Sequence, residues 1–205
     1  MSEEKKVNII VLVPAGRLPL DIMAAAHRLA EQYGLGVYLT AVQNLRLTGV
    51  PQEIAPAIKK ELASLGATFK GPGKFLLPKV CAGAEQCNLA VIDTVAMNQK
   101  ILDKFGDLPN VKAKVKMAIS GCPISCSNPK ITDIGLMATK KGYEVFVGGK
   151  GGPSPKIGKR IAKGADEERV LEIIGELVAF HNRKTEKKQR MFTLLEDSEF
   201  PFAEV

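Results

Sequence analysis

The first seventy or so residues alternate between short apolar runs and amphipathic stretches. Residues 7–13 are almost continuously apolar, which predicts a buried strand, and residues 19–33 place apolar side chains at helical spacing, which predicts a helix lying on a sheet. Residues 36–40 and 45–48 have strand character, and residues 54–65 are apolar at every third or fourth position. The order strand, helix, strand, strand, helix is typical of half of a ferredoxin-like fold.

A glycine- and proline-rich break, Gly71-Pro72-Gly73, interrupts this pattern. Such residues punctuate a chain because they favour turns over helices and strands. The break predicts a domain boundary, with a ferredoxin-like half-domain over residues 1–72 and a second domain over residues 73–205.

The second domain mixes helix and strand signals. Asp93 or Thr94 can cap a helix that runs to about Phe105. Residues 133–147 read as two strands joined by a tight turn, and residues 166–180 carry the strongest helical periodicity of the chain. The predicted fold class is therefore α+β, with an α/β arrangement in the second domain.

Lysine alternates with smaller or apolar residues over residues 111–119, which predicts a strand. Alternate residues of a strand face the same side, so Lys112, Lys114 and Lys116 would project together. Such a row either protects an edge strand from aggregation or forms a cationic functional surface. The spacing alone leaves both interpretations open.

Composition adds a basic surface to this picture. The 205 residues carry a net charge of +7, which attracts nucleic acid, anionic cofactors, acidic electron carriers or small oxyanions. Aromatic residues are scarce, tryptophan is absent and no DNA-reading motif is present, so we expect an anionic ligand and no nucleic acid. No apolar run approaches the ~20 residues of a membrane span, and residues 1–6 are polar, which predicts a cytoplasmic protein with no membrane partner.

The four cysteines fall into two short pairs. Cys81 and Cys87 are spaced C-x5-C, and Cys122 and Cys126 are spaced C-x3-C. Thiolates in fours hold iron–sulfur clusters, and both pairs lie in turns between apolar runs, so we predict one [4Fe-4S] cluster. A zinc site, disulfide bonds and four inert buried thiols are the alternatives, although zinc sites usually have a two-residue gap and disulfides are rare in the cytoplasm.

A glycine-rich loop follows the predicted hairpin over residues 148–156. Glycine lets the backbone approach a bulky ligand and exposes amides to anions, although such a loop is as often a simple connection. The spacing does not match a nucleotide P-loop. Lys150 and Lys156 stand in this loop and are candidate contacts for an anionic cofactor.

These motifs together resemble the nitrite/sulfite reductase family of siroheme and [4Fe-4S] proteins. The resemblance rests on the two cysteine pairs in this order, on Ser120-Gly121 before the second pair, on residues 133–136 and on Gly148-Gly149-Lys150. In the first domain it rests on Thr40-x-x-Gln43-Asn44 and residues 48–50. It covers most of the chain, and the length is typical of a small form with a single repeat.

The resemblance implies a ferredoxin-like half-domain followed by a siroheme and [4Fe-4S] domain of sulfite reductase hemoprotein type. All four cysteines would hold the cluster, and Cys126 would also bridge to the siroheme iron. Siroheme carries eight carboxylates, so basic and polar contacts are expected. The residues in matching positions are Thr40, Gln43, Asn44, Asn128, Lys150 and Lys156.

The activity implied is reduction of sulfite or nitrite by six electrons. Lys112, Lys114 and Lys116 would hold the oxyanion and relay protons. Family members commonly carry arginine where this chain has Tyr38 and Val42, and Arg46 is the candidate to replace them.

The partners implied are a ferredoxin or a reductase subunit as donor and a second copy of the chain in a homodimer. The alternatives are an electron-transfer or tetrapyrrole-binding protein without turnover and, more weakly, a nucleic-acid binder.

Overall fold

The structure is a computed structural model that describes residues 5–205, so part of the polar opening on which the cytoplasmic prediction rests, residues 1–4, lies outside it. Contacts along the chain divide it between Gly71 and Pro72 into two compact units. No helix of the described residues is long and apolar enough to cross a bilayer.

Over its described residues, the first unit contains a four-stranded sheet, two α-helices and a short 3-10 helix, Pro14–Gly16. The strands and α-helices are β1 (Lys6–Leu12), α1 (Leu20–Tyr33), β2 (Gly36–Leu39), β3 (Leu45–Pro51), α2 (Ala55–Ser64) and β4 (Thr68–Phe69). The strand order β2-β3-β1-β4, antiparallel throughout, is that of a ferredoxin-like fold. The predicted order of elements is confirmed, and the two-residue strand β4 completes it.

One apolar core holds this unit together. The buried faces of α1 and α2 lie against the inward side chains of β1 and β3, among them Leu29, Ile58 and Leu47. Helix α1 ends at Gly34, whose left-handed backbone has φ +62°. Glycine adopts that conformation without steric cost, and so the chain can turn directly into β2.

The second unit contains a five-stranded mixed sheet, two α-helices and two short 3-10 helices, Pro129–Ile131 and Met191–Leu194. The strands and α-helices are β5 (Lys79–Val80), α3 (Thr94–Phe105), β6 (Met117–Ser120), β7 (Ile134–Thr139), β8 (Gly142–Val147), β9 (Lys159–Ala165) and α4 (Glu167–Lys184). The order is β5-β6-β7-β8-β9; β5, β6 and β7 are parallel neighbours, whereas β7, β8 and β9 pair antiparallel.

Side-chain caps begin both α-helices of this unit. Asp93 accepts hydrogen bonds from the amides of Val95 and Ala96, and Asp166 accepts one from the amide of Arg169. The predicted helices and the β7–β8 hairpin are thereby confirmed, and the α+β fold class with them. Strand β9 was not predicted, because of its seven residues only Ile161 is buried and no alternation marks it.

Candidate iron–sulfur and siroheme site

The two cysteine loops begin at the same edge of the second sheet. Cys81 follows β5 directly, and Cys122 comes two residues after β6, which is the parallel neighbour of β5. The amide of Cys81 donates to the carbonyl of Ile119 at 3.1 Å and extends the pairing by one residue. Because the carboxyl ends of parallel strands meet at one edge, the topology brings together two segments that lie 40 residues apart.

Backbone hydrogen bonds then fasten one loop to the other. The amide of Val91 donates to the carbonyl of Gly121 at 2.8 Å, and the hydroxyl of Thr94 donates to the carbonyl of Cys81 at 2.8 Å. A side chain at Gly121 would lie 2.9 Å from the methyl group of Ala90, so only glycine permits this approach. The loops and the start of α3 therefore form one rigid unit.

All four cysteines are free thiols, so the disulfide alternative is wrong. Cys122 is buried, Cys81 and Cys87 are half-buried and Cys126 is exposed. Within residues 5–205, no group of three or more cysteine, histidine or acidic side chains lies close enough together to hold one metal ion. A zinc site places its ligands around a single ion, whereas a [4Fe-4S] cluster binds each thiolate to a different iron.

The donor set fits such a cluster in two respects. The amide of Gly121 donates to the sulfur of Cys81 at 3.1 Å, and hydrogen bonds of this kind tune the reduction potential of a cluster. Cys126, the thiol that the resemblance assigns to the siroheme iron, is the exposed one and is accessible to a second metal.

A tight turn presents Cys126 and Asn128. Ser125 and Asn128 adopt left-handed backbone conformations with φ +66° and +59°. Beneath them the buried hydroxyls of Ser120 and Ser127 lie 2.7 Å apart, and the Ser120 hydroxyl also accepts from the amide of Ser127. The Asn128 side chain is exposed next to the cluster loop, where its siroheme contact stays a prediction.

The predicted lysine strand is wrong over its first six residues. Strand β6 begins only at Met117, a turn occupies Ala113 and Lys114, and Lys114 has φ +82°. The amide of Lys116 donates to Asp133 at 3.0 Å, so a side chain takes the place of a ladder partner there. Lys112, Lys114 and Lys116 are all exposed, but they do not share a strand face.

A further lysine, missed in the sequence, lies beside this segment. Lys79 is in β5 and half-buried, and its pKa is lowered by burial and, to a smaller extent, by the charge of Lys116. Strand β5 pairs Lys79 with Ala118, two residues after Lys116, so both lysines lie near the start of β6. The pattern of hydrophobic and polar positions does not reveal this pair, because it depends on the parallel pairing of β5 with β6.

Lys150 and Lys156 close the glycine-rich loop. Each donates its amide to the carbonyl of the other, at 2.8 and 3.0 Å, and both ammonium groups lie over the ring of Phe192, 4.7 and 5.0 Å from its centre. Cation–π contacts of this kind are electrostatic attractions to the ring face. Phe192 was not among the predicted site residues.

The polar residues predicted in the first unit lie in or next to the β2–β3 turn. The hydroxyl of Thr40 accepts from the amide of Asn44, and the buried Asn44 side chain accepts from the amide of Val13, both at 3.1 Å. Gln43 has φ +64° and packs beside Gly16. Thr40 and Asn44 thus brace the turn, and their contact with siroheme, like that of Gln43, stays a prediction.

Arg46 lies opposite Tyr38 in the β2–β3 pairing. Its guanidinium donates to the Tyr38 hydroxyl at 2.6 Å and lies 5.8 Å from the centre of the Tyr38 ring. Tyr38 occupies a position where the resemblance leads us to expect arginine, and Arg46 is the proposed replacement for that arginine. The two side chains are therefore in contact with each other.

Asp133 is a buried carboxylate that binds two segments of the second unit, the one before β6 and the one after α4. It is fully buried and accepts from the amides of Lys116 and Met191 and from Nε of Arg190, the last at 2.7 Å. This carboxylate therefore joins the segment before β6 to the C-terminal segment. The sequence identified residues 133–136 only as part of a motif.

Two family models match the chain, one over each unit. Residues 2–65 match the nitrite/sulfite reductase ferredoxin-like half domain, and residues 74–200 match the nitrite and sulphite reductase 4Fe-4S domain. The predicted cofactors, a [4Fe-4S] cluster and siroheme, are those of this family and are confirmed at that level.

The relatives differ in length. The nitrite reductase [NAD(P)H] large subunit of Klebsiella oxytoca is 31% identical over 201 residues, which are 97% of this chain and 21% of that protein. The assimilatory-type sulfite reductase of Nitratidesulfovibrio vulgaris is 28% identical over 192 residues, 92% of this chain and 86% of that protein.

A solved structure supports the fold. The NirA protein of Mycobacterium tuberculosis matches with a TM-score of 0.72 at 21% identity, over 91% of this chain and 37% of the other. The predicted fold, a ferredoxin-like half-domain followed by a domain of sulfite reductase type, is thereby confirmed. From the two matched domains and their order we conclude that the chain belongs to the nitrite/sulfite reductase family.

Proposed function

We propose that the protein is a siroheme- and [4Fe-4S]-dependent oxidoreductase that reduces sulfite or nitrite by six electrons. The observation that carries this proposal is the pair of cysteine loops at the adjacent ends of β5 and β6, fastened by the Val91–Gly121 hydrogen bond and carrying four free thiols. Family membership supports the reaction class.

Four cysteines would hold the cluster, namely Cys81, Cys87, Cys122 and Cys126. When bound, the cluster and siroheme would supply single-electron transfer to the substrate. The chain contributes the environment of the sulfurs. The buried position of Cys122 excludes water from one corner, and the Gly121 amide stabilises negative charge on the sulfur of Cys81.

The lysines before β6 would bind the oxyanion. Lys114 and Lys116 have exposed ammonium groups, and Lys79 adds a third positive charge beside Lys116. Ammonium groups attract sulfite or nitrite oxygens, stabilise the charge that develops as S–O or N–O bonds break, and can donate the protons that leave as water. Lys112 and Arg46 are further candidates; the ammonium group of Lys112 is on an exposed residue, whereas the guanidinium of Arg46 already donates to the Tyr38 hydroxyl.

Reoxidation of the reduced protein tests the reaction class. The protein is reduced anaerobically, sulfite or nitrite is added, and the visible spectrum is followed together with release of sulfide or ammonia. A reductase is reoxidised by at least one of the two oxyanions with product release. An electron carrier ignores both and is reoxidised only by a partner protein.

Removal of two lysines is expected to slow this reaction strongly. In the Lys114→Ala/Lys116→Ala variant we expect kcat/KM for the oxyanion to fall about 100-fold or more, because charge in the transition state loses its stabilising cations. Lys140→Ala is the matched control, since Lys140 is an exposed lysine in the β7–β8 turn. Cluster and siroheme contents are measured in parallel, and unchanged kcat/KM in the double variant contradicts the assignment.

The proposed electron donor is a ferredoxin or a reductase subunit. The 205 residues themselves contain no flavin or nicotinamide fingerprint. The net charge of +7 favours an acidic donor through electrostatic steering. Such an association weakens as salt concentration rises, because exposed charges are screened.

We propose further that two copies of the chain associate and that each covers the cofactor of the other. The chain matches one half domain and one 4Fe-4S domain, and a second copy of the chain would supply a second repeat. Light scattering after size exclusion is expected to give twice the chain mass. A monomer that retains siroheme would refute this association.

A further inference from the structure

A single aromatic ring lies under both lysines of the glycine-rich loop. The ammonium groups of Lys150 and Lys156 are 4.7 and 5.0 Å from the centre of the Phe192 ring. The two backbones are also bridged by a pair of hydrogen bonds, so the five residues between them form a closed, exposed loop. The two positively charged ammonium groups are thereby held close together over the Phe192 ring.

These two lysines differ from other lysines nearby. Lys159 is paired with Glu196 at 2.8 Å, and Lys184 is paired with Asp197 at 3.1 Å. Over residues 5–205, no carboxylate forms an ion pair with Lys150 or Lys156. Their positive charge is balanced only by the ring face, which offsets part of their mutual repulsion and leaves the pair able to bind an anion.

The ring is held in place by a short segment after α4. In this segment, residues 190–195, the guanidinium of Arg190 donates to Asp133 and to the carbonyl of Gly149, and the amide of Met191 donates to Asp133. Met191 and Leu194 are buried on either side of Phe192. The segment is thus anchored both to the body of the unit and to the loop that it supports.

We propose that Phe192 is a positioning residue that gathers the ammonium groups of Lys150 and Lys156 into one site for a pair of carboxylates. This inference rests on the proposed function, in which the carboxylates belong to siroheme. A flexible lysine loses side-chain entropy when it binds an anion. Contact with the ring restricts both side chains beforehand, and so binding costs less and release is slower.

The test compares siroheme release from the holoprotein and its Phe192 variants. The rate is followed at the Soret band in moderate salt, with cluster content measured from acid-labile sulfide. For Phe192→Leu we expect release about tenfold faster, because two cation–π contacts are lost. For Phe192→Tyr, which keeps the ring, we expect the wild-type rate.

A double-variant cycle separates positioning from a general loss of stability. In a Lys150→Gln/Lys156→Gln background, Phe192→Leu is expected to change the release rate less than twofold, because the ring then has no ammonium group to hold. A full tenfold effect in that background, or equal rates for wild type and Phe192→Leu, overturns this inference alone. A wild-type protein that carries the cluster but never siroheme overturns the proposed function and the inference with it.

Discussion

Replacing Cys122 by serine is expected to abolish the iron–sulfur cluster. Cys122 is the most buried of the four thiols, so neither water nor an external thiol can take its place as a ligand. We expect the iron and acid-labile sulfide of the purified Cys122→Ser variant to fall below about a tenth of the wild-type values. Siroheme and oxyanion reduction are expected to be lost together with the cluster.

A matched control is available within the same loops. Gln86 is exposed beside Cys87, and its backbone amide donates to the carbonyl of Gly83, a bond that alanine keeps, so Gln86→Ala removes a side chain near the cluster without removing a ligand. This variant is expected to keep the wild-type iron and sulfide contents. A Cys122→Ser protein with a full complement of cluster would contradict the assignment of Cys122 as a ligand.

Replacing Asp133 by asparagine is expected to be the most destabilising change outside the cysteine loops. Asparagine has nearly the same shape but no charge, so the partly buried guanidinium of Arg190 loses its counter-ion. Breaking such a pair costs about 3 kcal/mol of unfolding free energy. Urea denaturation of Asp133→Asn measures this loss.

Glu196→Gln is the matched control for this variant. It also removes a carboxylate that pairs with a basic side chain, but Glu196 is exposed and Lys159 is only half-buried. Exposed pairs contribute little to stability, so the urea midpoint is expected to stay close to wild type. Equal midpoints for Asp133→Asn and wild type would show that Asp133 does not anchor the C-terminal segment.

Local signals predicted most of the secondary structure. The helical periodicity of α1 and α4, the cap at Asp93 and the β7–β8 hairpin depend on residues that are neighbours in the sequence. The prediction of a lysine strand failed although the alternation of residues was real, because the amides of Lys112 and Lys116 bond to side chains and not to a neighbouring strand. The amide of Lys116 bonds to a carboxylate 17 residues away, and the positive φ of Lys114 turns the chain before β6 begins.

The cysteine pairs could be found from their spacing, whereas their supporting residues could not. Phe192 lies 42 positions after Lys150 and Asp133 lies 57 positions before Arg190, so only the packed fold brings each pair together. Gly121 is a similar example. The sequence showed it as part of a motif but did not show why glycine is required there, because the methyl group of Ala90 that leaves no room for a side chain belongs to the other cysteine loop.

The central claim is that two distant loops hold one [4Fe-4S] cluster linked to siroheme. An anaerobic visible spectrum of the purified protein, combined with iron, acid-labile sulfide and siroheme analysis, tests it most directly. We predict about four sulfides, about five irons and about one siroheme per chain, with a siroheme spectrum perturbed by the cluster. Zinc in place of iron, or thiols without acid-labile sulfide after anaerobic purification, would contradict the claim.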